Sequence, residues 1–181
     1  MKIKNRIKFF LGILFFFTMA LNLNSPVLAI EDEVTLRVLD GLQKVFVNIA
    51  PVSPIIEERG VTGERLKADM EQQLQDAGIE MLSEKEFNRL RRSQNYPLCR
   101  LELFAHAVEV QDKGVMIFNI VLQVQQVAFL ARKPGVRIYA PSWQKGELSY
   151  SYGTGVDSIP KVVKDLTDKF INAFLEANKK K

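Results

Sequence analysis

The stretch VTGERLKADMEQQLQDAGIEML, residues 61–82, predicts a helix followed by a strand, and this pair decides the fold. Thr62 is a residue type that caps helix N-termini, and Val61 before it supplies one half of a hydrophobic staple. One apolar stripe then recurs every four residues, formed by Leu66, Met70 and Leu74. Gly78 ends the helix, because glycine readily takes the positive φ of the C′ position. The strand that follows covers residues 79–82.

Further elements are predicted on both sides of this pair. LQKVFVNIAPV, residues 42–52, alternates apolar and polar side chains as a strand does. SEKE, residues 83–86, is a capping box that opens a short helix. Residues 98–110 and 115–131 alternate as two strands joined by the turn QDKG. The alternation of the second strand breaks at Gln126, so we expect a bulge at positions 125–126.

The last third of the chain is predicted to complete a sheet and cover it. RKPG, residues 132–135, is a turn, and strands at 136–140 and 146–152 flank a loop that contains Trp143. An amphipathic helix begins near Asp157 and ends near Asn178. The sequence therefore predicts an α+β fold. It consists of an antiparallel sheet meander of about five strands with helices packed on one face, a strand–helix–strand opening and a long C-terminal amphipathic helix.

The first 29 residues have the composition of a secretory signal peptide. A positive start precedes the apolar run FFLGILFFFTMAL, and a helix-breaking stretch leads to a small residue at Ala29, after which we expect cleavage. An uncleaved membrane anchor is the alternative, although the run is shorter than the roughly 20 residues that span a bilayer. Residues 30–181 then form a single domain, exported to the periplasm or to the extracellular space. After cleavage we expect no transmembrane segment.

Charge and cysteine content narrow the class of function. The net charge of +4 lies wholly in the predicted signal peptide, so the remainder has 21 Lys and Arg against 21 Asp and Glu. Nucleic-acid binding, which needs a basic face, is therefore not expected. No cysteine stands near the cleavage site, so we expect no lipid anchor.

The stretch PLCRLELFAHAV, residues 97–108, holds the only cysteine and the only histidine of the chain. Cys99 and His106 are seven residues apart, so in a regular strand they point to opposite faces and cannot form a nucleophile–base pair. One histidine and one cysteine also cannot build the usual zinc site. A phosphate-binding glycine loop and the serine-hydrolase pattern are both missing. We therefore expect no enzyme, no metal and no cofactor, although a pair of glycosidase carboxylates stays open.

One segment is rich in aromatic side chains with polar tips, which suit binding surfaces. Residues 137–155 contain every tyrosine and tryptophan except Tyr96, and they are the candidate binding residues: Tyr139, Trp143, Tyr150 and Tyr152. The alternative is that these rings pack over the sheet edge or against the last helix.

The unit formed by KVFVNIAPV and VTGERLKADMEQQLQDAGIEMLS resembles the strand–helix–strand opening of secreted envelope domains such as the amino-terminal domain of TolB. The chain is also similar to small exported bacterial envelope proteins that have no assigned function. The propeller of TolB has no counterpart here, so its partners cannot be carried over. The resemblance implies an adaptor-like envelope domain without catalytic residues.

Two functions follow as hypotheses. The first is a non-catalytic envelope interaction domain that binds another envelope protein through the aromatic segment or an exposed sheet edge. The second is a carrier of a small apolar or lipid-like ligand held between the sheet and the helices, because a phenylalanine-rich final helix faces a long apolar strand.

Overall fold

A computed structural model describes residues 36–91, 98–110, 113–152 and 156–179 of the chain. The predicted signal peptide and its cleavage site lie outside the described residues. The strands are β1 (Lys44–Ile49), β2 (Glu80–Met81), β3 (Leu98–Val110), β4 (Val115–Leu130) and β5 (Lys133–Tyr152). The helices are α1 (Pro54–Glu57), α2 (Gly63–Asp76), α3 (Glu84–Leu90) and α4 (Ser158–Ala177).

The strands form one mixed sheet in the order β2-β1-β3-β4-β5. The pairs β3–β4 and β4–β5 are antiparallel, as expected for strands joined by tight turns. The α+β class, the five strands and the long C-terminal helix are thus confirmed. The parallel pairing of β1 with both β2 and β3 was not predicted. It arises because α2 and α3 carry the chain back to the same end of the sheet before each new strand begins.

The helix α2 begins and ends at the residues that the sequence predicts. The Thr62 side chain accepts a hydrogen bond from the backbone N–H of Arg65. At the other end, Gly78 has a φ of 75°. The N–H groups of Gly78 and Ile79 donate to the carbonyls of Gln75 and Leu74, both at 2.9 Å. These two bonds make a Schellman motif, which satisfies carbonyls that a helix end would otherwise leave unpaired.

The main core lies between one face of the sheet and the helices α2 and α4. Alternate residues of β1, β3 and β4 supply its strand side: Val45, Val47, Cys99, Leu101, Leu103, Phe118, Ile120 and Leu122. The stripe of α2 and the apolar side of α4 supply the rest, including Leu66, Met70, Leu74, Val163, Leu166 and Phe170. No helix in the described part of the chain combines the length and apolarity that a bilayer-spanning helix needs.

The helix α3 packs on the opposite face of the sheet, which corrects the prediction that the helices share one face. Phe87 of α3 stacks on Phe46 of β1 with ring centroids 4.4 Å apart, and Leu82 and Leu98 complete this small cluster. Phe46 stands between two core-facing valines, so strand alternation turns it away from the main core. A second apolar cluster therefore needs its own helix.

The sequence predicts two strands and a loop after residue 135, but the structure has one strand with a bulge there. The strand runs without interruption from Lys133 to Tyr152. Val124 pairs with Trp143 and Gln125 with Pro141, so Ser142 is an extra residue opposite the predicted bulge region of β4. Pro141, which lacks a backbone N–H, is tolerated because β5 is an edge strand of the sheet.

Asn178, directly after α4, ties the two ends of the domain together. Its side-chain amide donates to the carbonyl oxygen of Leu39 at 3.0 Å and to that of Phe174 at 2.9 Å. Its side-chain oxygen accepts from the backbone N–H of Gly41 at 3.0 Å. The Asn178 side chain thus fastens α4 to the segment that enters β1.

Replacing Gly78 by alanine tests the cap of α2. A Cβ at Gly78 would meet no atom within 4 Å, so the cost comes only from the positive φ and should be about 1–2 kcal/mol of unfolding free energy. Gly135→Ala is the matched control, because this position is also open but has no positive φ. Urea denaturation of both variants would measure the difference, and equal stabilities would contradict the assignment.

Candidate functional site

The face of β3, β4 and β5 that points away from the main core is the candidate site, and we call it the outer face. The registers His106–Asn119 and Asn119–Leu148 place residues of all three strands side by side on it. Its members are Phe104, His106 and Val108 of β3, Ile117, Asn119 and Val121 of β4, and Leu148, Tyr150 and Tyr152 of β5. Their neighbours in sequence, such as Ala105 and Phe118, are buried.

Large apolar side chains on the outer face are exposed to solvent. The exposed fraction is 68% for Val108, 74% for Leu148 and 74% for Tyr152. The rings of Tyr150 and Tyr152 meet edge to face with centroids 5.8 Å apart. Leu148, Tyr150 and Tyr152 alternate along β5 with two serines that point to the opposite face, so the three large side chains lie on the same side of the sheet.

The outer face has no formal charge at neutral pH when His106 is neutral. Glu109 and Glu147 lie close in sequence, but they pair with the core-facing positions Met116 and Ile120 and so belong to the other side of the sheet. A partner for this face must therefore offer apolar surface and hydrogen-bonding groups rather than opposite charge.

A polar cluster borders the outer face where β3 lies beside β1. Glu102 is only 5% exposed, and its carboxylate accepts from Asn48 at 2.8 Å and forms an ion pair with Arg100. The amides of Gln123 and Gln125 also donate to it. The buried carboxylate is thus compensated by several donors, as a buried charge must be. Gln123 and Gln125 are both half-buried against Glu102.

The bulge at Ser142 separates the four predicted binding residues. Trp143 faces the main core, is 2% exposed, and contacts Phe170 of α4 with ring centroids 5.5 Å apart. Tyr150 and Tyr152 lie together on the outer face. Tyr139 pairs with Val127 on the same side of the sheet, but eleven positions along β5 put it about 35 Å from Tyr150. The packing alternative therefore holds for Trp143, and the predicted loop that carries it is a strand.

Cys99 and His106 lie on opposite faces of β3, as predicted from their spacing. Cys99 is buried in the main core, and burial raises the pKa of its thiol. His106 is exposed on the outer face. Within the described residues, no group of three or more His, Cys, Asp or Glu side chains could hold a metal ion.

The sequence analysis missed Val108, Ile117 and Leu148, which contribute most of the aliphatic surface of the site. The motif ELSYSY, residues 147–152, contains the signal that could have found Leu148, because large and small residues alternate with the period of a strand. Which set faces outward follows only from the register with β4, where Phe118 and Ile120 are the buried neighbours.

No protein-family model matches the sequence, and no curated protein matches it. Among solved structures, the fold is similar to the PelC dodecamer from Paraburkholderia phytofirmans, with 15% identity and a TM-score of 0.38 over 78% of this chain and 92% of that one. It is also similar to a minor lipoprotein from Acinetobacter baumannii, with 11% identity and a TM-score of 0.34 over 75% of this chain and 92% of that one. These similarities assign no family, and the resemblance to the TolB domain stays a prediction.

Trp143 and Tyr150 should differ sharply in their contribution to stability. Trp143→Ala removes a buried ring and should lower the free energy of unfolding by about 3–5 kcal/mol. Tyr150→Ala removes an exposed ring and should change it by no more than about 0.5 kcal/mol. Equilibrium urea denaturation of both variants measures this, and similar losses would show that the assigned faces of β5 are wrong.

The thiol of Cys99 should react only when the protein unfolds. A buried thiol with a raised pKa has little thiolate to attack a disulfide reagent. We expect no reaction with Ellman's reagent in buffer and reaction of one thiol per chain in urea. Tyr150→Cys supplies the control, since its added thiol on the outer face should react at once in buffer. Rapid labelling of native Cys99 would contradict its place in the core.

Proposed function

We propose that this chain is an exported, non-catalytic binding domain whose outer face contacts another protein of the cell envelope. The proposal of export depends on the predicted signal peptide. The proposal that the domain is non-catalytic depends on the lack of recognisable catalytic motifs in the sequence. The observation that carries the proposal is the exposed apolar surface formed by Val108, Leu148, Tyr150 and Tyr152. Exposed apolar side chains that are contiguous, unlike single ones, are typical of interaction sites.

The size of the outer face supports a protein partner. Seven residues on each of three strands, at about 3.4 Å per residue and about 4.8 Å between strands, give a projected area of roughly 350 Å². This is the size of the largest apolar patch on a typical monomeric protein, about 300–600 Å², and such patches are often functional. Exposed tyrosines add large contact area and a hydroxyl that can donate or accept a hydrogen bond, which is why interfaces are rich in them.

The packing of the core does not favour the carrier hypothesis. Phe118, Trp143 and Phe170, which lie between the sheet and α4, are at most 2% exposed, and the last two contact one another. A groove of about 410 Å³ lies between α2 and α4. Residues of these two helices alone line it, so it is not the space between the sheet and the helices that the carrier hypothesis requires.

Site-specific photocross-linking in the organism's own envelope tests the proposal. A photoreactive phenylalanine analogue replaces Tyr150 in one variant and Leu175, an exposed residue of α4, in the other. We expect one envelope protein to cross-link from position 150 and not from position 175. The absence of this product, the same products from both positions, or a cross-link only to a second copy of the chain would contradict the proposal.

Binding to the cross-linked protein after purification then measures the contribution of the face. The double variant Leu148→Ser/Tyr150→Ser should bind at least tenfold more weakly, which corresponds to about 1.4 kcal/mol. Leu175→Ser removes an exposed apolar residue elsewhere and should leave the affinity unchanged. Equal affinities for both variants would exclude the outer face as the contact surface.

A further inference from the structure

The β4–β5 hairpin extends beyond the rest of the sheet, and we call residues 126–140 the arm. The last pair between β3 and β4 is Arg100 with Gln125, so from Gln126 onward β4 pairs only with β5. Five residues at about 3.4 Å each carry β4 roughly 17 Å past that point. At its base, the Gln126 amide donates to the carbonyl of Val38 at 2.7 Å, which fixes the arm to the domain.

The arm has positive charge and no acidic residue. It contains Arg132, Lys133 and Arg137, and the sequence has no Asp or Glu anywhere from residue 113 to residue 146. Arg91, at the end of α3, adds a fourth cation beside it. Within the described residues, none of these four side chains forms an ion pair with a carboxylate. The arm thus concentrates charge in a domain whose total charge is balanced.

Apolar side chains are exposed between these cations. Phe129 is 56% exposed, and the guanidinium of Arg137 lies 5.7 Å from the centre of its ring. Val127, Val136, Ile138 and Tyr139 are also exposed. A cation held against an aromatic ring, with aliphatic side chains on either side, presents charge and apolar surface to the same partner.

A notch at the side of the arm is lined by both cationic and apolar side chains. It has a volume of about 260 Å³ and is lined by Arg91, Val127, Arg137, Ile138 and Tyr139. Two guanidinium groups and a phenol suit a phosphate, because arginine donates two parallel hydrogen bonds to its oxygens. The valine and isoleucine beside them suit a hydrocarbon chain. A phospholipid carries both chemistries in one molecule.

We propose that the arm binds an anionic phospholipid surface. The arginines and Lys133 bind the headgroup phosphates, while Phe129 on one side of the hairpin and Val136 and Ile138 on the other enter the boundary between headgroups and acyl chains. Charge complementarity selects an anionic surface, and the exposed aliphatic side chains favour lipid over nucleic acid, whose phosphates offer them no contact. The arm is separate from the outer-face residues Leu148 and Tyr150, so this inference does not depend on the proposed protein partner.

Vesicle co-sedimentation with the full protein, as exported and purified from its host, tests the inference. The vesicles are phosphatidylcholine alone, or equal parts of phosphatidylcholine and phosphatidylglycerol. The wild-type protein should bind the mixed vesicles at least tenfold more tightly, and the binding should weaken as salt is raised. Equal affinity for both vesicles, or no binding to the mixed ones, would overturn the proposal.

Two charge-matched triple variants locate the binding. Arg132→Gln/Lys133→Gln/Arg137→Gln should bind the mixed vesicles at least tenfold more weakly than wild type. Arg65→Gln/Lys85→Gln/Lys161→Gln removes three exposed cations elsewhere and should bind within twofold of wild type. Equal losses in the two would mean that only net charge acts, which contradicts a role for the arm.

The apolar contact and the source of the phosphate are tested separately. Phe129→Ser/Ile138→Ser keeps every charge and should still weaken vesicle binding severalfold, whereas an unchanged affinity would contradict insertion. Circular dichroism should show the wild-type fold for each variant, since the replaced side chains are exposed. Inorganic phosphate at the same ionic strength as a chloride control should displace the vesicles only in part, because the apolar contacts remain; complete displacement would mean that the notch binds free phosphate and would overturn the membrane proposal.

Discussion

One extra residue in an edge strand determines which side chains this protein buries and which it presents. If Ser142 were paired as in a regular strand, with no bulge, Trp143 would share a face with Tyr139, because the two residues are four positions apart. With the bulge, the indole enters the core against Phe170, while Tyr139 and Tyr150 come to lie on the same side of the sheet. The bulge thus lets one strand place Trp143 in the main core and its tyrosines on the opposite side of the sheet.

The two faces of the sheet differ in how much of each is covered by helices. The core face is covered by α2 and α4. The domain is stabilised by this packing and not by an internal disulfide, since its single cysteine is a free, buried thiol. The outer face is covered by α3 only beside β1, where Phe46 and Phe87 stack. Beyond the compensated carboxylate of Glu102, nothing charged interrupts the apolar surface that follows. Two exposed surfaces of different chemistry result, one apolar on the sheet and one cationic on the arm.

Local signals predicted local structure well. The caps at Thr62 and Ser83, the glycine at position 78 and the stripe of α4 each depend on residues within a few positions of one another, and all were readable. The parallel pairing of β1 and the bulge at Ser142 depend on contacts between residues far apart in the sequence. A short stretch of sequence does not contain both partners. The candidate site was therefore found only in part. Tyr150 and Tyr152 carried an aromatic signal, whereas Val108 and Ile117 look like core residues until the register shows that they face outward.

The hydrogen bonds of Asn178 have a consequence for the time order of folding. They join the final turn of α4 to Leu39 and Gly41, across 139 and 137 positions of the chain. The helix α4 also supplies one whole side of the core. A chain leaving the ribosome can close the β4–β5 hairpin early, but it must wait for its last helix before the hydrophobic interior is sealed. Until then the core-facing residues of β1, β3 and β4 stay exposed to solvent.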